Sequence, residues 1–308
     1  WIDKIIANNV PKEIGRSCLT PLIGIRGGVA GDFTVTKLDD EHFFIVGSGM
    51  AERYHIRFFE MIERPNSVDF QSLTEEMCGF NVAGPKSRTL LSRMTQEDLS
   101  NENWKFMRSR SITIAGIDAI AIRVSFTGDL GWEIYVKTEN QLKLYEALLE
   151  TGADLGVKPV GGRSLLSLRV EKGYGSWGRE YSPEYWPQEV GLDRLIKLDK
   201  PSFLGKEAYL KIKDQKPREK LVVLEVNADR NADPAGGEPV FLRDGTPVGR
   251  VTSGAYGYTC DKSLAICMIK TDHAIDGNEF HVAVIGQNHD AVMLKEAPFD
   301  PLGDRLRG

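Results

Sequence analysis

Two acids and one arginine stand where the surrounding pattern prefers an apolar or a turn residue. Asp32 follows Gly31 at the head of an alternating run, so a turn would hold its carboxylate at a strand edge. Its residue type favours a turn cap; the chemical reading is a carboxylate placed to take up a proton. Glu133 lies between Trp132 and Ile134 in a short apolar strand, either on a solvated face or buried with a partner. Solvation is the favoured reading, because an unpaired buried carboxylate is costly. Arg163 opens a helix after Gly161 and Gly162, and its planar fork suits either a ligand carboxylate or a surface neighbour. Proton handling and carboxylate recognition are therefore the chemistry these residues offer.

Other reaction classes lose their usual support. The chain has no GxxxxGK[ST], no GxGxxG after a strand, no HExxH and no GxSxG. Gly27 and Gly28 precede a strand and read as a turn more readily than as a phosphate cradle. Cys18, Cys78, Cys260 and Cys267 form no CxxC pair and do not join the histidines at zinc spacing, so no metal site is expected, and free thiols fit a reducing compartment. With 39 basic against 44 acidic residues the formal charge is -5, which argues against a nucleic-acid partner. No run of 18 apolar residues exists to span a bilayer. Five aromatics, Tyr174, Trp177, Tyr181, Tyr185 and Trp186, crowd into thirteen residues as a pocket wall or a packed loop.

The elements that must position these groups alternate between strand and helix. Residues 32–38 and 42–46 flank Asp39 and Asp40 as a hairpin; 111–125 hold two alternating runs around Gly116 and Asp118; 131–136 supply another strand of a mostly antiparallel sheet. Thr138 with Gln141 forms a capping-box signature before Leu142, Tyr145, Leu148 and Leu149, and Gly152 stops that helix. A second helix follows Gly161 and Gly162 until Gly173, and a third begins at Pro85 with Leu90, Leu91 and Met94. Beyond a polar linker at 213–219 only strand signals remain, at 220–228, 239–242, 263–270 and 280–294, so the expected domains are 1–215 and 216–308.

GGVAGDFTV at 27–35, SFTGDLGWEIYV at 125–136, GGRSLLSLRVEKG at 161–173 and GRVTSG at 249–254 together resemble the aminomethyltransferase (T-protein) family of the glycine cleavage system. FNVAGPKSRTLL at 80–91 and VGLDRLIKLDKPSFLGKEAY at 190–209 resemble more closely the folate-binding C-terminal halves of dimethylglycine and sarcosine dehydrogenases. The resemblance covers nearly the whole chain. It implies an α+β fold, with a folate-binding region of antiparallel strands and helices followed by a small C-terminal β-barrel. It makes Asp32 the catalytic aspartate beside the reactive edge of tetrahydrofolate, Glu133 the glutamate that holds the pterin, and Arg163 the partner of the folate's glutamate tail. Tyr174 is expected to touch the cofactor. Phe126 stands where T-proteins usually have tyrosine, so ring stacking is kept and a phenol hydrogen bond lost. Gly31 replaces an aspartate found in many T-proteins. Both departures put an aminomethyl-lipoyl substrate in question.

The resemblance further implies an enzyme segment that captures a carbon from an N-methylated amine, as its iminium or as formaldehyde, to give 5,10-methylenetetrahydrofolate. FAD is expected only in a flavin domain or subunit, upstream of a chain that begins at Trp1 without methionine or leader and reads as a fragment. A stand-alone aminomethyltransferase or folate-dependent demethylase is the alternative within enzymes. A non-catalytic regulatory relative is the alternative outside them. A bacterial cytoplasm or a mitochondrial matrix suits either.

Overall fold

The computed structural model describes residues 1–229 and 232–308. Its first sheet is antiparallel, in the order β1 (Ser17–Ile23), β2 (Val29–Lys37), β3 (Phe43–Val46). Alternation sends Phe33 and Val35 of β2 into a core with Ile5, Ile6 and Leu22, and α1 (Glu52–Glu60) covers that side by burying His55 and Phe59, one turn apart. Asp32, Thr34 and Thr36 point the other way. Asp32 is therefore a mid-strand residue, opposite Pro21, and not a turn cap, because β2 already begins at Val29.

The second sheet runs β4 (Met77–Ala83), β7, β6, β5 and is also antiparallel. Between β4 and the rest lies α2 (Ser87–Ser92), which starts two residues after Pro85, since that proline occupies the preceding turn. The strands β5 (Ser109–Ile114), β6 (Ile117–Ile122) and β7 (Gly131–Lys137) match the expected runs. One face of this sheet packs Ile112, Ile114, Ile117, Ala119, Trp132, Ile134 and Val136 against Leu90 and Leu91 of α2 and against α3 (Gln141–Thr151). Each large aliphatic side chain so buried contributes roughly 1.5–3 kcal/mol. The buried residues of α3 are Leu144 and Leu148, while Leu142 and Tyr145 face solvent. Thr138 donates its hydroxyl to the Glu75 carbonyl at 3.2 Å instead of capping, because residues 138–140 form a 3-10 turn.

The expected antiparallel strands thus form two sheets, and they join end to end. Ser17 N–H donates to the Met107 carbonyl at 3.0 Å, and Ser109 N–H to that of Gly15 at 2.7 Å. Next come α4 (Gly162–Glu171) and the short α5 (Lys206–Leu210). A closed antiparallel barrel follows, ordered β10-β11-β8-β13-β12-β9, from β8 (Glu219–Val226), β9 (Pro239–Phe241), β10 (Pro247–Gly257), β11 (Lys262–Lys270), β12 (Glu279–Val284) and β13 (Gln287–Leu294). The class is α+β, ending in a barrel. The chain finishes in α6 (Asp304–Arg307).

The segment before the barrel is fastened. Arg218 forks onto Glu189 at 2.8 and 2.7 Å and lies 4.6 Å from the Trp186 ring centre, and Thr271 donates to the Pro217 carbonyl at 2.6 Å. No helix of the described residues is long and apolar enough to cross a membrane.

Candidate active site

The two carboxylates lie on the sheet faces that meet where Phe44 touches Tyr135. Thr36 shares the face of Asp32, and its direct partner across the β2–β3 pair is Phe44. The Phe44 ring meets that of Tyr135 edge-on with centroids 5.1 Å apart, and Tyr135 shares a face of β7 with Glu133. Asp32 lies four residues from Thr36, about 13 Å along the strand, on the face of β2 that meets the second sheet through Phe44.

Each acid is set differently. Oδ1 of Asp32 is buried without a hydrogen-bond partner, and burial raises the carboxyl pKa to about 6. Such a group exchanges a proton near neutral pH. Glu133 is not on a solvated face: burial raises its pKa, and the hydroxyl of Tyr135, donating to Oε2 at 2.6 Å, opposes that rise. The row across the second sheet reads Asn81, Glu133, Ile122, Ser109, so Glu133 has no charged neighbour on the adjoining strands.

Phe126 is half-buried in the loop that leads into β7. That loop is turned by Gly128, whose N–H donates to Ser125 Oγ at 3.0 Å, and whose φ of +86° suits glycine. A Cβ there would meet Cδ of Lys172 at 2.6 Å, so the loop packs directly on the end of α4. Lys172 also pairs with Asp300 Oδ2 at 3.3 Å and lies 5.9 Å from the centre of the Tyr174 ring. Tyr174 opens the aromatic loop, which then reaches the head of β2: Val29 N–H donates to the Tyr185 carbonyl at 3.0 Å, Tyr181 packs with Val29, and Trp177 stands 4.7 Å from His55. The crowded aromatics are thus a packed loop that connects the Phe126 loop to the strand carrying Asp32.

Arg163 stands apart from these groups. It is exposed in the first turn of α4, nine residues before Lys172 and so about 14 Å away along the axis. Among the described residues it makes no hydrogen bond or ion pair. The same helix carries an arginine that the sequence reading passed over. Arg169 is fully buried, donates to the Tyr174 carbonyl at 2.5 Å and to Glu180 at 3.0 Å, and thereby holds the aromatic loop down. Glu180 in turn accepts from Thr252 at 2.8 Å and Ser253 at 2.5 Å of β10. Tyr135 was also passed over, although its place two residues after Glu133 on a strand puts it on the same face.

Comparison with known proteins agrees with this architecture. Residues 1–200 match the family model of the GCVT N-terminal domain, and 219–300 that of the glycine cleavage T-protein C-terminal barrel domain. The mitochondrial dimethylglycine dehydrogenase of Mus musculus is 34% identical over 298 residues, 96% of this chain and 34% of that protein. A formaldehyde-forming 4-methylaminobutanoate oxidase of Paenarthrobacter nicotinovorans is 34% identical over 307 residues, 97% of this chain and 36% of that protein. The aminomethyltransferase of Thermoanaerobacter sp. (strain X514) is 29% identical over 297 residues, 96% and 80% of the two chains. The chain therefore spans about a third of the length of the dehydrogenase it matches. In structure it is similar to the glycine cleavage system aminomethyltransferase T of Bartonella henselae, with a TM-score of 0.82 at 23% identity, over 94% of this chain and 77% of that one.

Proposed function

The chain belongs to the glycine cleavage T-protein (GCVT) family, and from that premise we propose that it binds tetrahydrofolate between its two N-terminal sheets and directs a one-carbon unit onto it. The observation that carries this reading is the pair of half-buried carboxylates on the sheet faces that meet at Phe44 and Tyr135, one with a buried, unpartnered oxygen and a carboxyl pKa raised to about 6. Tetrahydrofolate supplies the two nitrogens, N5 and N10, that share the carbon in 5,10-methylenetetrahydrofolate.

The residues present fit such a guest. Glu133, held by Tyr135, accepts paired hydrogen bonds from the pterin amino group and ring N–H. Phe126 and Tyr174 offer ring faces, and Arg163, with its guanidinium free in solvent, pairs with the carboxylate of the glutamate tail. Asp32 takes the proton that a folate nitrogen loses as its bond to the carbon forms and passes it to the departing group, hydroxide from formaldehyde or amine from the iminium. Residues 1–215 hold this site and 216–308 form the barrel beside it.

In this proposal the carbon comes from a flavin-dependent oxidation of an N-methylated amine, as iminium or formaldehyde, in a domain or subunit outside this chain, in a cytoplasm or a mitochondrial matrix. The likeness to dimethylglycine dehydrogenase supports that source. Proximity of the two reactants would then be the chief contribution of the folate half.

Anaerobic calorimetric titration of the chain with tetrahydrofolate tests the reading. Binding is expected. Glu133→Ala should weaken it at least about tenfold, and Arg163→Ala by a few-fold, an effect that shrinks as salt is raised. Absence of binding, or binding indifferent to both changes, removes the basis of the proposal.

A further inference from the structure

We propose that Tyr135 is the positioning residue of the folate site: its hydroxyl fixes the plane of the Glu133 carboxylate and favours its acceptor form. This rests on the folate reading above and adds to it a residue that does not itself touch the guest.

Three contacts hold the phenol in place. The Tyr135 hydroxyl donates to Oε2 of Glu133 at 2.6 Å, a length typical of a charge-assisted bond. The Tyr135 ring is held edge-on by Phe44 at 5.1 Å. On β4 its partner is Gly79, where any Cβ would come within 2.8 Å of the ring; only glycine leaves the phenol room to lie flat across the strand. A carboxylate offers about four lone-pair sites. Tyr135 takes one on Oε2, so both oxygens can still accept, now in a fixed orientation.

The same bond bears on the charge, against the larger effect of burial. Burial pushes Glu133 toward its neutral acid, and the phenol donor is the group that pulls it back. From the neighbouring strands the pair is faced by Asn81 and Gly79 of β4, Ile122 and Ile120 of β6, and Phe44 of β3, none of which titrates. Beyond Tyr135 a cavity of about 860 Å³ is lined by Glu76, Glu97, Asp118, Lys137 and Glu139, and none of these contributes to the shift of Glu133. Burial and the adjacent acid push the phenol itself well above its ordinary range, so it stays a donor throughout physiological pH.

Removing the hydroxyl therefore raises the glutamate pKa further. At a given pH less of it is ionised, and the lost acceptor returns as pH rises. Tyr135→Phe keeps the ring against Phe44 and Gly79, and its thermal transition shows whether the fold is kept. At pH 7 this variant should bind tetrahydrofolate about tenfold more weakly than the parent, with the deficit shrinking toward pH 9. In a Glu133→Gln background the same change should cost little further, since the phenol acts through the carboxylate. Carbon-13 NMR of glutamate-labelled chain, with Glu133→Gln to assign the signal, should show the Glu133 carboxyl titrating at higher pH in Tyr135→Phe. Binding by Tyr135→Phe equal to that of the parent overturns this inference alone. So does a loss that is the same at every pH and additive with Glu133→Gln, or a carboxyl titration that does not move. If the parent itself fails to bind tetrahydrofolate, the folate reading falls and this role falls with it.

Discussion

At the scale of single residues, the buried acids make a statement about stability as well as chemistry. An ordinary aspartate titrates near 3.9, and Asp32 is raised to about 6 by burial. The folded protein therefore holds this proton more tightly than the unfolded chain, so stability falls as pH rises through the window between those values and the full cost remains above it. Asp32→Asn should stabilise the fold by on the order of 2 kcal/mol at pH 8 and by almost nothing below pH 4. Thermal melts at the two pH values check this, and an equal effect at both would show that Asp32 is not desolvated. The residue types were legible in the sequence; their burial was not. Glu133 alternates with apolar neighbours as a solvated residue would, and its half-burial beside Tyr135 becomes visible only in the folded sheet.

At the scale of elements, the loop before β7 sets where Glu133 begins. Gly128 combines a φ of +86° with direct contact to Lys172. Gly128→Ala should cost about 1–2 kcal/mol from the left-handed backbone, more once Lys172 is displaced, and urea unfolding measures it. The loss of folate binding should exceed what the stability change predicts. Strands with clean alternation, such as β2, β6 and β7, can be read from the chain. β1 cannot: its SCLTPLI run buries consecutive residues and contains Pro21. Nor can β10, where Gly249, Gly254 and Gly257 look like turns until the close approach of Met268, Pro234 and Glu171 explains them. In α3, Leu142 and Tyr145 mimic a core stripe, and the sheet instead selects the Leu144 and Leu148 face.

At the scale of the whole molecule, the sequence marks 213–219 as a linker, yet Arg218 in it is stacked on Trp186 and forked onto Glu189, whose side chain is wholly buried. Removing one partner of such a pair strands a buried charge at a cost of about 3 kcal/mol. Arg218→Met should speed proteolytic cutting within 213–217 and split the thermal transition in two; one unchanged transition would mean that the clasp does not couple the barrel to the sheets. A second tie runs between distant parts of the chain. Arg123, almost fully buried, donates to the carbonyls of Trp104 at 2.5 Å, Arg307 at 2.8 Å and Gly308 at 3.1 Å. Two of its partners are thus made 184 and 185 residues after it. At ribosomal speed that delay is roughly ten to forty seconds. Through that interval the nascent N-terminal lobe carries an incompletely satisfied guanidinium, so its closure waits for the segment that holds α6.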